Sequence, residues 1–243
     1  MTKILVSPPV YNEKIRVKNV IERFLKSRMY GQADYLIVDD ASDDGTTEII
    51  EGYAGRGVKT IKHTVHKGVG AAIKTAMAYA WTNGYDILVI MAGNDKDNPE
   101  EIPALTAPII DQGCDVVQGS RYLKTNQDMG QMPFYRRIAT RVHPWLMSLI
   151  TGRRVTDSTN GFRAMRVSFF RDERIDWRQK WLDAYELEPY LLFKAIKLGY
   201  KFCEAPVTKV YPSKKLGYTK MRPFFGWWSI LRPLVYLGLG IRK

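Results

Sequence analysis

Residues 87–103 read Ile-Leu-Val-Ile-Met-Ala-Gly-Asn-Asp-Lys-Asp-Asn-Pro-Glu-Glu-Ile-Pro, and this stretch decides the fold. Its first five residues, Ile87 to Met91, are apolar and predict a strand buried on both faces. Pro99 then opens a predicted helix. In an open α/β sheet, ligands bind at the carboxyl ends of the strands, which is where Asp95 and Asp97 lie. Two carboxylates there can hold a hard divalent cation, or they can form a solvated turn before a helix. The segment alone leaves both interpretations open.

Strands and helices alternate through the first half of the chain. Predicted strands cover residues 4–7, 35–38, 58–63, 87–91 and 115–119, with amphipathic helices between them. This alternation predicts an α/β fold with a Rossmann-like, mostly parallel sheet and helices on both faces. The second half is less regular, with predicted helices at 138–150 and 187–198 and strands at 161–165 and 201–207. We expect one domain over residues 1–222, followed by a C-terminal amphipathic extension over residues 223–243.

The chain is strongly basic. Its 243 residues carry a formal net charge of +12 and a pI of about 9.6, which predicts an anionic partner: a nucleotide, a lipid phosphate, an acidic membrane surface or a nucleic acid. The acidic residues at the predicted strand ends argue against nucleic acid. Cys114 and Cys203 lie far apart in apolar segments, so we expect buried thiols in a reducing cytoplasm and neither a disulfide nor a metal site. No signal peptide and no uninterrupted membrane span are evident.

Polar residues also follow the first two predicted strands. Pro9, Tyr11 and Glu13 come after the first strand, and Asp39 and Asp40 end the second. A carboxylate there can accept hydrogen bonds from a ribose or a base, or it can cap a helix and shape a turn. A glycine-rich turn at residues 66–72 opens the next helix. Its amides favour phosphate, although glycine turns before helices are common.

Seven segments in this order resemble the family 2 glycosyltransferases of GT-A fold, and in particular the dolichol/polyprenyl-phosphate mannose synthase group. They are residues 9–13, 38–46, 66–72, 99–103, 119–122, 157–163 and 217–221, and the resemblance spans about residues 3–222. It implies an enzyme that moves a sugar from a nucleoside-diphosphate donor with inversion, assisted by a metal, in glycan or cell-envelope biosynthesis. The implied acceptor is a membrane-bound polyprenyl (dolichyl or undecaprenyl) phosphate.

The resemblance also implies roles for individual residues. Catalytic roles fall to Asp157, Arg163 and Glu188. Substrate-binding roles fall to Pro9, Tyr11, Glu13, Asp39, Asp40, Lys67, Gly68, Asn94, Arg121, Lys215, Lys220 and Arg222.

One departure from the family pattern concerns the metal. Relatives carry Asp-Ala-Asp directly after the fourth strand, and here Ala92, Gly93 and Asn94 take that place. We expect Mg²⁺ or Mn²⁺ to be held instead by Asp95 and Asp97, with Asn94 assisting. Two alternatives remain open. Lys96 can neutralise the diphosphate directly, or the site can be degenerate in a nucleotide-sugar-binding protein without activity.

A basic, tyrosine-containing run near residue 215 is the candidate acceptor clamp. It contains Lys209, Tyr211, Lys214, Lys215, Tyr218, Lys220 and Arg222, and Arg121, Arg136 and Arg137 are candidate additions. A phosphate acceptor is already anionic and needs no strong general base. A saccharide hydroxyl acceptor needs a carboxylate to take its proton, for which the candidates are Asp157, Asp183, Glu186 and Glu188. The run can also be an ordinary solvated loop.

The C-terminal extension combines aromatic and cationic side chains. Trp227, Trp228 and Tyr236 lie near Arg232 and Arg242, a composition that suits a helix in the membrane interface. The same residues can instead pack against the body of the protein or against a partner. We therefore expect a cytoplasmic, peripheral membrane glycosyltransferase, with a homo-oligomer or a membrane partner subunit as a further candidate association.

Overall fold

The computed structural model describes residues 2–124, 129–211 and 225–242. Within these ranges one sheet contains β1 (Ile4–Ser7), β2 (Pro9–Val10), β3 (Asp34–Asp39), β4 (Val58–Lys62), β5 (Ile87–Ile90), β6 (Val116–Ser120), β7 (Arg163–Arg166) and β8 (Phe202–Pro206). The α-helices are α1 (Val17–Lys26), α2 (Thr46–Glu51), α3 (Val69–Thr82), α4 (Ile102–Gln112), α5 (Phe134–Thr151), α6 (Leu187–Lys197) and α7 (Phe225–Gly238). Short 3₁₀ segments cover Ala54–Arg56, Pro99–Glu101, Phe169–Arg171 and Lys180–Leu182.

The sheet confirms the predicted α/β class. Its strand order is β2-β3-β1-β5-β7-β6-β8, and β4 pairs with β3. β7 is antiparallel to β5 and β6, whereas the other pairings among the described strands are parallel. Alternate residues of the central strands enter two apolar cores, with Leu5 and Leu88 on one face and Val6 and Val89 on the other. A sheet covered on both faces explains the continuous apolar run at residues 87–91.

The segment quoted at the outset folds almost as expected. β5 ends at Ile90, and the predicted helix from Pro99 begins as a 3₁₀ turn that passes into α4 at Ile102. Asn98 caps this turn, because its side-chain oxygen accepts a hydrogen bond from the Glu100 amide at 3.2 Å. The loop between β5 and the cap therefore lies at the carboxyl end of the parallel strands.

The cysteine prediction is wrong. Cys114 and Cys203 form a disulfide, with their Cα atoms 6.2 Å apart and a sequence separation of 89. β6 and β8 pair in parallel with Val117 opposite Cys203, and Cys114 lies just before β6. The pairing of two distant strands brings the cysteines together, and no local pattern indicated that pairing.

The C-terminal helix α7 is packed against the body of the protein. Leu234 and Leu237 are buried in the main core, and Arg232 binds the Glu186 carboxylate and the Trp181 carbonyl. The buried His143 of α5 contacts the Ile230 carbonyl through Nε2 at 3.1 Å and Ser158 Oγ through Nδ1 at 2.6 Å. This imidazole thus joins α5, α7 and the loop before β7. No helix among the described residues has the length and apolar character to cross a membrane.

Reduction of the disulfide is expected to destabilise the protein. The closed loop is long, so its loss should lower the free energy of unfolding by about 2–4 kcal/mol. Urea unfolding with and without dithiothreitol measures the effect, and the double variant Cys114→Ala/Cys203→Ala should not respond to the reductant. An unchanged wild-type midpoint under reducing conditions, or two titratable thiols in the oxidised protein denatured without reductant, would contradict the disulfide.

His143 is expected to make stability depend on pH. Burial lowers its pKa below the ordinary value of 6.5, although Asp157 acts in the opposite direction. The folded ring therefore stays neutral while the unfolded ring takes up a proton, and the free energy of unfolding falls as pH drops through about 6.5. Between pH 7.5 and pH 5.5 the wild type should lose about 1 kcal/mol more than His143→Gln. Parallel pH profiles for the two proteins would refute this assignment.

Candidate functional site

Asp40 organises the end of β3. Its side chain is 2% exposed, and it lies among residues for which the sequence predicted a nucleoside site. The carboxylate contacts His63 Nδ1 at 2.6 Å, His66 Nδ1 at 2.8 Å, the Lys67 amide at 3.0 Å and the Gly68 amide at 2.7 Å. Tyr11 stacks on the His66 ring with centroids 3.9 Å apart. The structure thus brings Tyr11, Asp40, Lys67 and Gly68 together around two histidines.

The carboxylates of Asp39 and Glu13 are held by residues close to them in sequence. Asp39 is fully buried and accepts hydrogen bonds from the Ser42 amide, the Ser42 hydroxyl and the Thr47 hydroxyl at 2.6–3.0 Å. Glu13 pairs with Arg16 at 2.8 Å. Pro9 lies in β2 opposite Val38. The hydrogen bonds of Asp39 stabilise the turn between β3 and α2. Its predicted contact with a nucleoside stays a prediction.

The glycine-rich turn before α3 is shaped by packing. A Cβ at Gly68, whose φ is +108°, would lie 2.5 Å from the Asp183 carbonyl oxygen, and one at Gly70 would lie 2.1 Å from that of Leu182. The Ala71 amide donates to the Asp183 carbonyl at 2.9 Å. The amides of Lys67, Gly68 and Ala71 bind protein atoms, whereas the Lys67 side chain is exposed and can reach a phosphate.

The loop after β5 sends its two carboxylates to different partners. Asp95, with φ +61°, binds Arg23 Nη1 of α1 at 2.6 Å and also contacts Asn19. Asp97 is 1% exposed; it accepts the Ala92 amide at 2.7 Å and binds the Lys209 ammonium at 2.6 Å. The structure therefore does not present Asp95 and Asp97 as a pair of ligands facing one cation.

The residues at this loop do not fit a divalent cation held by several carboxylates. Gly93 must remain a glycine, because a Cβ there would lie 2.4 Å from the Pro9 carbonyl oxygen. Asn94 offers a single amide oxygen, which is buried and has no hydrogen-bond partner among the described residues. In the same ranges no group of three or more His, Cys, Asp or Glu side chains could hold a metal. The predicted Mg²⁺ or Mn²⁺ site does not assemble from these residues.

Cations are concentrated where the metal was expected. Lys96 is 6% exposed, with Nζ 5.2 Å from the centre of the Tyr211 ring, and the Arg136 guanidinium lies 5.6 Å from the same ring. Burial lowers the pKa of Lys96 to about 7, and the nearby charges of Lys209, Arg136 and Arg16 add to this effect. Lys209 was predicted to join a lipid-phosphate clamp, but its ammonium lies between Asp97 and Asn160.

Arg121 and Asp157 form a buried ion pair on the predicted acceptor side. The guanidinium meets both carboxylate oxygens, with Nε–Oδ2 at 2.6 Å and Nη2–Oδ1 at 2.8 Å. It also donates to Tyr211 Oη at 2.8 Å and Thr159 Oγ1 at 2.6 Å. The Asp157 charge raises the pKa of Arg121 above its usual range despite burial. Since Arg121 is 2% exposed, it positions Asp157 and Tyr211 and offers no accessible guanidinium to a phosphate.

Arg163 and Glu188, to which the resemblance gave catalytic roles, lie close together. The Arg163 Nη2 atom lies 3.5 Å from Glu188 Oε1, and Nη1 donates to the Glu188 carbonyl at 2.9 Å. Glu188 also approaches Gly161, where a Cβ would lie 3.0 Å from its Oε1. The side chain of Glu188 is 18% exposed, which makes it more accessible than Asp157. Lys215, Lys220 and Arg222 lie outside the described residues, as do Lys214 and Tyr218.

His63 was missed by the sequence analysis. It was placed at a strand end without a role, yet parallel pairing of β3 with β4 carries it to Asp40. That contact follows from the register of the two strands, which the sequence could have indicated. Tyr211 was predicted as part of the acceptor clamp; in the structure it links Arg121 to Lys96 and Arg136, and the sequence did not indicate these contacts.

Comparison of the sequence with known proteins finds a matching family and related glycosyltransferases. The sequence model of "Glycosyl transferase family 2" matches residues 8–174. An undecaprenyl-phosphate mannosyltransferase from Micrococcus luteus is 30% identical over 226 residues, covering 90% of this chain and 87% of that protein. A UDP-N-acetylglucosamine–dolichyl-phosphate N-acetylglucosaminyltransferase from Methanococcus voltae is 30% identical over 217 residues, with 84% of each chain covered.

Solved structures share the fold. Glucosyl-3-phosphoglycerate synthase from Mycobacterium tuberculosis, in complex with phosphoglyceric acid, superposes with a TM-score of 0.70 over 100% of this chain and 81% of that one, at 17% identity. The same enzyme in complex with Mn²⁺ and UDP-glucose gives a TM-score of 0.67 at 17% identity. At this identity the likeness establishes the GT-A fold. The family match, the relatives and the fold agree, and the chain belongs to glycosyl transferase family 2.

Proposed function

We propose that this glycosyltransferase moves a sugar from a nucleoside-diphosphate donor to polyprenyl phosphate with inversion at the anomeric carbon. Two relatives at 30% identity are named for transfer to undecaprenyl or dolichyl phosphate, and each match covers at least 84% of both chains. The stacked Tyr11 and His66 rings offer an aromatic surface beside Asp40 for the nucleoside. Lys67 lies next to this surface and suits a phosphate group.

The single observation that favours a phosphate acceptor is that every candidate general base is held in an ion pair. Each carboxylate that the sequence offered as a general base is held in an ion pair: Asp157 with Arg121, Asp183 with Lys74, Glu186 with Arg232 and Glu188 with Arg163. A carboxylate oxygen that already accepts a hydrogen bond from a cation is less available to take a proton from a hydroxyl. A hydroxyl acceptor needs such a base, whereas a phosphate oxygen is already anionic and attacks without proton transfer.

The chemistry is then a direct displacement. An oxygen of the acceptor phosphate forms a bond to the anomeric carbon, while the bond from that carbon to the diphosphate oxygen breaks and its electrons leave with the nucleoside diphosphate. Positioning and charge stabilisation dominate such a reaction. Arg163 is 2% exposed, as Arg121 is, so it acts as a positioning residue: it donates to the Glu188 and Asn160 carbonyls at 2.9 and 2.8 Å and holds these residues on the acceptor side.

We also propose that α5 and α7 bind the surface of the membrane that carries the acceptor. α5 exposes apolar side chains at helical spacing, with exposed fractions of 46–77%: Phe134, Ile138, Val142, Trp145 and Leu149. α7 exposes Trp227, Trp228, Leu231 and Val235. Tyr135 and Trp227 lie 5.8 Å apart between ring centroids and join the two faces. An exposed apolar surface of this kind marks an interaction site.

Exposed arginines on and after α5 favour an anionic lipid surface as the partner of this apolar face. Arg137, Arg141, Arg153 and Arg154 are exposed. Arg141, Arg153 and Arg154 also line a surface groove of about 840 Å³ together with Trp145 and Leu149. Apolar insertion combined with basic side chains is the pattern of helices that lie in the membrane interface.

The transfer reaction is tested by the choice of acceptor. A panel of UDP-, GDP- and TDP-sugars is offered with polyprenyl phosphate, the free polyprenol or an oligosaccharide, and we expect turnover with the phosphate alone. Because no base is needed, Glu188→Gln should reduce kcat by less than about tenfold, whereas loss of a general base costs about 10²–10⁴-fold. Glu173→Gln is the matched control. Transfer to the oligosaccharide, abolished in Glu188→Gln, would contradict the proposed acceptor, and donor binding without transfer would indicate a binding protein.

The membrane surface is tested with vesicles. Trp145→Glu and Leu149→Glu should each weaken binding to anionic phosphatidylglycerol vesicles by about tenfold or more, because each removes a buried apolar side chain from the lipid. Ile110→Glu on α4, where the native side chain is 49% exposed, is the matched control and should bind as the wild type does. Equal vesicle binding by all of these proteins in a flotation assay would refute the assignment of α5.

A further inference from the structure

We propose that Nε2 of His66 recognises the base of the nucleoside-diphosphate donor, and that it favours bases with a ring N–H beside a carbonyl group over bases with an amino group at that edge. Uracil, thymine and guanine belong to the first class, and cytosine and adenine belong to the second. The inference rests on the proposed transfer from a nucleoside-diphosphate donor, and it assigns the class of base that this donor carries.

The carboxylate of Asp40 is occupied by the protein itself. Its Oδ1 atom accepts from His63 Nδ1 at 2.6 Å and from the Lys67 amide at 3.0 Å. Its Oδ2 atom accepts from the Gly68 amide at 2.7 Å, and His66 Nδ1 lies 2.8 Å from the same oxygen. An ionised carboxylate has about four acceptor sites, so these four groups fill them. Since Asp40 is also 2% exposed, it has no acceptor site left for a base.

The contact with Asp40 determines the tautomer of His66. Nδ1 faces two oxygens, the Asp40 carboxylate at 2.8 Å and the Asp40 carbonyl at 3.3 Å. An ionised carboxylate and a carbonyl can only accept, so Nδ1 carries the hydrogen atom. In the neutral ring Nε2 then has a lone pair and accepts a hydrogen bond. In the part of the chain that the structure describes, Nε2 has no hydrogen-bond partner.

The imidazole is held at the ligand-binding end of the sheet. Asp40 follows β3 and His66 follows β4, and these two strands pair in parallel, so both residues lie where ligands bind in open α/β sheets. Tyr11 stacks on the ring with centroids 3.9 Å apart and planes inclined by 24°. The His66 side chain is nevertheless 50% exposed. Because Nδ1 faces the buried carboxylate, the edge with Nε2 faces outward as a fixed acceptor.

A cavity beside this turn provides space for the base. Its volume is about 400 Å³, within the range of small-molecule sites, and it is lined by Ala41, Ser42, Lys62, His63 and Thr64. Lys62 is exposed. Its ammonium can only donate, so it suits a carbonyl oxygen of the base and opposes an amino group. The cavity therefore favours the same class of base as Nε2 does.

The edge of the base decides between the two classes. Uracil and thymine present N3–H between two carbonyl groups, and guanine presents N1–H beside its carbonyl oxygen, so each of them can donate to Nε2. Cytosine N3 and adenine N1 carry a lone pair instead, which would face the lone pair of Nε2 and leave both acceptors unpaired. Loss of one hydrogen bond in a partly exposed site corresponds to about five- to tenfold in affinity.

The test compares nucleoside diphosphates that differ at this edge. Dissociation constants of UDP and CDP, and of GDP and ADP, are measured by calorimetry at about pH 8, where histidine in model peptides is neutral. The members of each pair carry the same diphosphate, so a divalent metal affects both equally. The ratio of their dissociation constants therefore reports the base alone, and the pair that binds more tightly decides.

We expect the wild type to favour UDP over CDP, or GDP over ADP, by about five- to tenfold, and His66→Asn to reduce this ratio at least about threefold. Asparagine places its amide nitrogen where Nδ1 lies, so it still donates to Asp40, but no atom replaces Nε2. Lys67→Met is the matched control. It removes the adjacent ammonium, so it should weaken both members of a pair and leave the ratio unchanged.

Three results would overturn the inference and leave the proposed function intact: equal affinities or the opposite preference in the wild type, a preference that His66→Asn retains, or a ratio that Lys67→Met lowers as much. If the loss of stacking on Tyr11 removes binding altogether, His66→Phe, which keeps a ring, decides by the same ratio. If no nucleoside diphosphate binds to the wild type, the inference and the proposed function both fail.

Discussion

The buried ion pair between Asp97 and Lys209 is the interaction on which the site depends. It joins the loop after β5 to a segment 112 residues later in the chain, and both side chains are nearly inaccessible to solvent. The remaining donor capacity of Lys209 goes to Asn160 at 2.9 Å, so one ammonium ties the donor loop to the loop before β7. Removal of either partner would leave an uncompensated buried charge, which is costly. The pair therefore holds the two halves of the site in one arrangement.

The same pair explains why this loop differs from a metal site. Asp97 is the most buried carboxylate of the loop, and its charge is already balanced by Lys209. Asp95 is balanced by Arg23. The amide oxygen of Asn94 is a single neutral ligand atom, which suits a hard divalent cation less well than a group of carboxylates does. On the acceptor side, the Arg121–Asp157 pair and the Tyr211 hydroxyl continue the network.

The sequence predicted correctly the features that depend on residues close together in the chain. The apolar run at residues 87–91 predicted a strand buried on both faces, and the alternation of strands and helices predicted the mostly parallel sheet, because both patterns depend on near neighbours. Ordered motifs led to the correct family. The family resemblance implied substrate-binding roles for Tyr11, Asp40, Lys67 and Gly68, and the structure brings these four residues together; their roles stay predictions.

The failures concern contacts between distant segments. The Cys114–Cys203 disulfide depends on pairing β6 with β8, and the burial of Arg121 depends on Asp157 and Tyr211 meeting it from two other segments. Residue type alone favoured a phosphate clamp for Arg121 and Lys209, since an isolated cation in a sequence carries no sign of its partner. For Asp95 and Asp97 the sequence likewise carried no sign of the partners Arg23 and Lys209, which come from other parts of the chain; a divalent metal in this protein stays a prediction.

A structure of the protein with a bound nucleoside diphosphate, determined once in EDTA and once in Mn²⁺, tests the central claim most directly. The account predicts that the ion pair between Lys209 and Asp97 is kept in both, with the Nζ–Oδ1 distance near 2.6 Å. A Mn²⁺ ion that joins the diphosphate to Asp95 or Asp97, with Lys209 turned away from Asp97, would contradict the account.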